Sequence, residues 1–266
     1  MKNLLQVLLI LPLFISCSSN DNDEITPEDI TPILPVKITE TTKSGNTYYL
    51  TMKYDGDKII ESNDEDGSKT VYTYNGNNIV KSVEYDKNSN IVYTQEFAYN
   101  NDRLSSEKIT DTHMGTLSYT INYNYVNDNT VKYKLLESST YNSSTGTFSN
   151  FKYTDYETTL VNGNVSKIKR TLSSGMVINR TYIYDNKNNP FSNIKGFVKI
   201  NLLTSYDGDY GVNNLTKLTS SSTDSYFNYT NTTSYEYNSN NYPVKQLTNY
   251  TDNSNGSSTT VYQYNK

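Results

Sequence analysis

The chain has 266 residues, which is enough for one large all-β domain or for two small domains. Only 34% of the residues are hydrophobic, but there are 27 tyrosines, so the composition argues against a doubly wound enzyme whose buried parallel strands need Val, Ile and Leu runs. The net charge is −5 and lysines and arginines are scattered singly, which excludes nucleic acid as an expected partner.

The first residues have the pattern of a secretion signal. A short basic start is followed by an apolar run from Leu4 to Ile15, which is too short to span a bilayer comfortably. Two residues after this run comes Cys17, the only cysteine of the chain, so no disulfide is expected. Residues 13–17 resemble a bacterial lipobox, which implies a signal peptide over residues 1–16 and a lipid on Cys17. The alternative is an ordinary signal peptide with an incidental cysteine.

A polar tether is predicted for residues 17–36. Three prolines between residues 27 and 35 favour an extended, semi-rigid conformation. The acidic group at residues 21–24 resembles the export signal of Bacteroidota-type lipoproteins. That resemblance implies an outer-membrane lipoprotein at the cell surface, with a periplasm-facing position as the alternative.

The rest of the chain, residues 37–266, is predicted to be a β domain built from hairpins. The stretch Thr70–Tyr85 reads as strand, tight turn and strand, because β-branched and aromatic residues flank Asn75-Gly76. Similar units recur, and Tyr54, Tyr74 and Tyr99 are spaced by 20 and 25 residues. This spacing fits two strands and two turns in each unit.

The stretch Tyr119–Tyr125 alternates with period two, which predicts a sheet with one apolar face and one wet face. Residues 194–213 break the rhythm and are predicted to be a short helix or a long crossing loop. We therefore expect a curved antiparallel meander of about twelve to fourteen strands. An open sheet is favoured, and a closed barrel is the alternative because closure would remove the exposed edges.

One copy of the repeat carries a longer motif, which is echoed at residues 235–244. This motif resembles the YD-repeat, or RHS-like, units of short Bacteroidota lipoproteins. The residues that match are Tyr184, Asp185, Lys187, Asn189, Pro190 and Phe191. The resemblance covers roughly residues 40–266 and implies a curved antiparallel sheet, and it brings no established activity. Since proline cannot donate to a β-ladder, Pro190 and Pro243 should lie at a turn exit or at the start of a strand.

No catalytic site is predicted. His113 is the only histidine and lies in a polar turn, so a Ser-His-Asp set has no other base. Glu84, Glu96 and Glu236 lie in predicted strands, but the sequence does not select a pair for glycoside hydrolysis. We expect no cofactor.

Calcium is the best candidate ion, although no metal site is predicted. The stretches Asp64–Gly67 and Asp207–Asp209 are rich in oxygen ligands, but neither completes an EF-hand loop. Ordinary Asx turns explain both stretches more simply.

Three functions remain open. The first is a non-enzymatic surface module, anchored to the membrane by its lipid, that binds a glycan or a protein through exposed tyrosines. The second is a purely structural envelope lipoprotein. The third, and the least favoured, is a carbohydrate-active enzyme.

Overall fold

The computed structural model describes residues 31–204, 208–251 and 256–266. Residues 32–266 belong to one compact unit, and the predicted signal peptide and Cys17 lie outside the described residues. Leu34 and Pro35 are buried, so the compact unit begins within the stretch predicted to be a tether. Among the described residues, no helix is long and apolar enough to cross a membrane.

The described residues form one antiparallel sheet of 17 strands. The strands are β1 Pro35–Thr42, β2 Thr47–Asp55, β3 Lys58–Asp64, β4 Lys69–Asn75, β5 Asn78–Tyr85, β6 Ile91–Asn100, β7 Arg103–Asp111, β8 Leu117–Asn122, β9 Asn124–Asn127, β10 Thr130–Asn142, β11 Thr147–Val161, β12 Asn164–Thr171, β13 Val177–Tyr184, β14 Leu215–Ser222, β15 Tyr229–Tyr237, β16 Pro243–Asn249 and β17 Ser257–Tyr264. A short helix, α1 Phe197–Asn201, precedes β14, and a 3-10 helix, Ser225–Phe227, follows it.

The sheet is a nearly closed barrel. Nearly every strand pairs with the next strand along the chain, and β17 pairs back to β1 with Ile38 opposite Tyr262. Leu34 and Asn265 also bond to each other through two hydrogen bonds of 2.9 and 3.0 Å. The prediction of an all-β antiparallel meander is confirmed, but the prediction that an open sheet is favoured over a barrel was wrong. The β1–β17 pairing satisfies the two edges that an open sheet would leave exposed.

Side chains alternate between the inside of the barrel and its outer surface. Five inward apolar residues from strands around the barrel are completely buried: Ile59, Ile79, Val131, Val165 and Ile178. The outward positions of the same strands are mainly Thr, Lys, Ser, Asn and Glu. This is the opposite of a transmembrane barrel, whose outward band is apolar and whose interior is polar. The outer wall of this barrel therefore has the chemistry of a surface that faces water.

The hairpins share a β-bulge at one end of the barrel. The register shifts by one residue beside Tyr54, Tyr74 and Tyr99, close to the turns of the β2–β3, β4–β5 and β6–β7 hairpins. Because a bulge increases the local twist and bends the strand, its repetition helps to curve the sheet towards closure.

The segment between β13 and β14 closes this same end of the barrel, and we call its described residues, 185–204 and 208–214, the plug. The aromatic rings of Phe191, Phe197 and Tyr210 lie 5.1–5.8 Å apart. Ile194 and Ile200, which are also buried, extend the same cluster. The sequence predicted a short helix or a crossing loop here, and the helix is present as α1. We call this the plugged end and the opposite end, with the turns β3–β4 and β5–β6, the open end.

Candidate functional site: an outer groove beside an interrupted strand

The residues of the YD-like motif build the entrance to the plug. Asp185 accepts a hydrogen bond from the hydroxyl of Tyr237, from the backbone N–H of Lys187 at 2.9 Å and from the backbone N–H of Asn214 at 3.1 Å. The hydroxyl of Tyr184 donates to the carbonyl of Gly208 at 3.1 Å. These contacts join β13, β14 and β15 at the point where the plug begins and ends.

The second half of the motif turns the chain into the barrel. Asn189 is buried, and its side-chain amide donates to the carbonyls of Asp209 and Asn213 at 2.7 and 3.3 Å. Its side-chain oxygen accepts from the N–H of Phe191 at 3.0 Å, and Pro190 between them is also buried. In this structure the motif has a structural role, because its polar atoms bond to the plug.

Most tyrosines of the repeat units point into the barrel. The hydroxyl of Tyr99 donates to the carbonyl of Ile79 at 2.6 Å, and that of Tyr264 donates to the carbonyl of Pro243 at 2.7 Å. Tyr54 bonds in the same way to Pro35 at 2.6 Å. Burial raises the pKa of each of these three phenols. Each of these hydroxyls thus bonds to a carbonyl 19–21 residues earlier in the chain, close to the shorter spacing of the repeat.

The barrel ladder is interrupted at one position. β8 and β9 follow one another with only Tyr123 between them, and Tyr123 belongs to neither strand. β8 pairs with β7, and β9 pairs with the first three residues of β10. From Tyr133 onwards β10 pairs only with β11, and no described strand pairs with the other edge of β8. We call this interruption, between β8 and the facing edge of β10 from Tyr133 to Tyr141, the seam.

A groove lies on the outer surface beside the seam. Its volume is about 680 Å³, within the range of roughly 300–1,000 Å³ that is usual for ligand sites. β8 supplies one side, β12 supplies the other, and β10 and β11 lie between them. Its polar lining side chains are Thr120, Asn122, Asn124, Lys132, Lys134, Asp155, Glu157, Lys169 and Thr171.

Charges alternate across the groove. Lys132 is 3.1 Å from Glu157, and Lys134 is 2.9 Å from Asp155. These side chains are about half exposed, so the ion pairs contribute little to stability and stay accessible to a ligand. The exposed ring of Tyr153 lies at one edge and adds an amphipathic surface. The groove can therefore offer hydrogen bonds, both signs of charge and one aromatic face.

A buried carboxylate lies behind the seam, inside the barrel. Glu107 is completely buried and accepts hydrogen bonds from Gln95 at 2.6 Å and from the hydroxyl of Tyr123 at 2.9 Å. Burial raises the pKa of Glu107, and the two hydrogen bonds oppose this rise only in part. Tyr123 also packs against Tyr133 with ring centroids 5.2 Å apart. The interior side of the seam is therefore sealed at Tyr123.

The histidine and the strand glutamates considered for catalysis lie apart from one another. His113 lies in the β7–β8 turn with its Nδ1 2.9 Å from Asp111. Glu96 and Glu236 point outward and pair with Lys108 at 3.4 Å and with Lys245 at 3.0 Å.

Glu84 points into the barrel and lines a cavity of about 110 Å³ with Tyr72 and Tyr93. It lies on the opposite face of the sheet from Glu96 and Glu236, so these acids do not converge on one site. Asp66 accepts from the N–H of Ser68 at 2.9 Å, as in an Asx turn. Among the described residues, no group of three or more acidic, His or Cys side chains could hold a metal ion.

The described residues form a nearly closed, plugged antiparallel β-barrel whose outward positions are mainly polar. A crystal structure of a porin-like protein from Bacteroides vulgatus has the same fold, with a TM-score of 0.51 and 16% identity over 87% of this chain and 99% of that chain. A porin-like protein from Bacteroides uniformis is more distant, with a TM-score of 0.37 and 14% identity over 86% of this chain and 96% of that one. No protein-family model matches the chain, and no curated protein matches its sequence.

The comparison with the first structure supports the barrel rather than an open sheet, and at this level of identity it concerns the fold alone. The seam and the groove were not expected from the sequence. The available signal is the uncharged stretch Tyr119–Tyr125, whose alternation is typical of one continuous strand.

Proposed function

We propose that the chain is an outer-membrane lipoprotein, anchored through Cys17 and exposed at the cell surface, that binds a ligand in the groove beside the seam and catalyses no reaction. The ligand would be a glycan or a segment of another protein. The groove is the observation that carries this proposal, because it combines a ligand-sized volume with accessible charges of both signs. The resemblance to YD-repeat lipoproteins supports the same cellular location.

Two features argue against a role as a pore. The plug fills one end of the lumen with buried aromatic and aliphatic residues such as Phe197 and Ile200. The outward positions of the strands carry lysine, glutamate and threonine, which are costly in contact with lipid. A binding function therefore fits the chemistry of this barrel better than permeation does.

Glycan and surface-protein arrays would test the proposal. The probe is a soluble form that begins at Thr31, so that the whole compact unit is kept. We expect a saturable hit that is lost in the double variant Lys132→Glu/Lys134→Glu, because this change reverses the charge of the groove. Lys245→Glu is the matched control, since Lys245 is also half exposed and paired with an acid on a different part of the outer surface. Binding that survives the double variant, or that is lost equally in the control, would contradict the groove as the site.

A further inference from the structure

The seam leaves the edge of one strand without a partner. Tyr123 donates its backbone N–H to the carbonyl of Ser105 on β7 at 2.9 Å. Since successive residues of a strand direct their backbone groups to opposite sides, those of Ser118, Thr120 and Asn122 point away from β7. No described strand accepts them, because β10 has left the ladder at Tyr133.

This edge lacks the usual protection. Proteins shield free edges with proline, with charged residues, with bulges or with a covering segment. β8 has the sequence Leu-Ser-Tyr-Thr-Ile-Asn, without a proline or a charged residue, and its pairing with β7 is regular. The groove beside it is open to solvent, and Thr120 and Asn122 are exposed. The edge is therefore both accessible and suited to pairing.

The two ends of the seam are bounded. At one end the ring of Tyr123 packs against that of Tyr133. At the other end Tyr141 lies over Gly115, where an added Cβ would be only 2.7 Å from the ring. Between these contacts β8 offers six residues, so the site suits a short extended segment.

We propose that the edge of β8 binds an extended segment of another polypeptide by β-strand addition. This inference rests on the proposed binding function and selects a polypeptide over a glycan as the ligand. Backbone N–H and C=O groups at the spacing of a strand continue the ladder at Ser118, Thr120 and Asn122, whereas sugar hydroxyls do not repeat at that spacing. On one side of the added strand, polar side chains would meet Lys132 and Lys134.

The test is a pair of substitutions at one position. Thr120→Pro removes the backbone N–H that points to the open edge, and removes no donor from the ladder with β7. Thr120→Ala removes the hydroxyl and the γ-methyl group and keeps the N–H. A phage-displayed library of random peptides, selected on the soluble form that begins at Thr31, supplies the probe. We expect the selected peptides to bind the Ala variant within about twofold of the wild type and the Pro variant at least about tenfold more weakly.

Hydrogen exchange gives a second readout that needs no variant. A bound peptide should slow exchange at the amides of Ser118, Thr120 and Asn122, and leave Tyr119 and Ile121 unchanged because these already bond to β7. Failure to select any peptide, equal binding to both variants, or protection without this alternation would overturn the inference. A glycan hit that depends on Lys132 and Lys134 and ignores Thr120→Pro would overturn it while leaving the proposed function intact.

Discussion

At both ends of the barrel the strands alternate inward and outward residues, but the inward residues are buried at one end and exposed to water at the other. At the plugged end, inward residues such as Ile59, Ile79 and Val165 are completely buried. Towards the open end, the inward residues Glu84 and Asp111 are only partly buried, and Tyr48 is 50% exposed. An inward position is therefore buried only where another part of the chain fills the lumen beside it.

The number of strands explains why filling is needed. Barrels of about eight strands are just narrow enough for their own side chains to fill, whereas those of about 16–18 strands leave a channel. With 17 strands, this barrel cannot build a core from its wall alone. The plug supplies the missing volume at one end, and the polar residues at the other end remain in contact with water.

The largest effect is expected from emptying the plug. Phe197 is 6% exposed and packs against Phe191, Tyr210 and Tyr72. Phe197→Ala should lower the free energy of unfolding by about 3–5 kcal/mol, because it leaves a cavity in the aromatic cluster. Urea titration followed by circular dichroism would measure this change.

Phe151→Ala is the matched control for this prediction. Phe151 lies on β11, where the strand pairs with β10 only, and it is 45% exposed. We expect a loss below about 1 kcal/mol. Equal losses for the two variants would contradict the view that the plug acts as the core.

A second, smaller effect concerns the contact between the plug and the barrel. Gly196 has a φ of 72°, and a Cβ there would lie 2.9 Å from the carbonyl oxygen of Asn77 in the β4–β5 turn. Gly196→Ala should therefore cost about 2–3 kcal/mol, from the strained backbone and the clash together. Gly56→Ala tests the backbone part alone, since Gly56 has a φ of 61° and open space around it. The same denaturation measurement should give about 1 kcal/mol for Gly56→Ala, and a cost as large as that of Gly196→Ala would argue against the contact.

The smallest effect is expected at Glu107, between the two ends. Burial raises its pKa in the folded barrel above the unfolded value of 4.5. The contribution of Glu107 to stability is therefore complete below pH 4.5 and is lost as the pH rises through the folded pKa. Glu107→Gln should remove this loss and change the unfolding free energy at pH 4 by about 1 kcal/mol or less. Thermal unfolding of the wild type and of Glu107→Gln from pH 4 upwards would measure this difference. The same pH dependence of stability in both proteins would contradict the prediction.

The hairpins could be predicted from the sequence because their signals are local. Asn75-Gly76 marks the β4–β5 turn, and Asn162-Gly163 marks the β11–β12 turn. Pro243 begins β16, as expected for a residue that cannot donate to the ladder. These features depend on neighbouring residues alone, so one sequence is enough to find them.

Closure and the plug could not be predicted in the same way. An inward-facing stripe looks the same in an open sheet and in a barrel, and the β1–β17 pairing leaves no local pattern. The contacts of the plug also join residues that are far apart in the sequence. For example, the hydroxyl of Tyr74 donates to the carbonyl of Lys195 at 2.9 Å. The seam could not be predicted for a related reason. The period-two alternation of β8 continues through Tyr123, although the pairing with β10 stops there.

The pairing of β1 with β17 has a consequence for the order of folding. Apart from β13 and β14, which the plug separates, the other ladders join strands that are close in sequence, and such hairpins form rapidly. The last ladder brings together Leu34 and Asn265, which are 231 positions apart, and must overcome a much larger loss of chain entropy. Folding should therefore proceed hairpin by hairpin and finish where the two ends of the barrel wall meet. Until that step, both outer strands expose unpaired edges, which makes the interval before closure the period of greatest risk for aggregation.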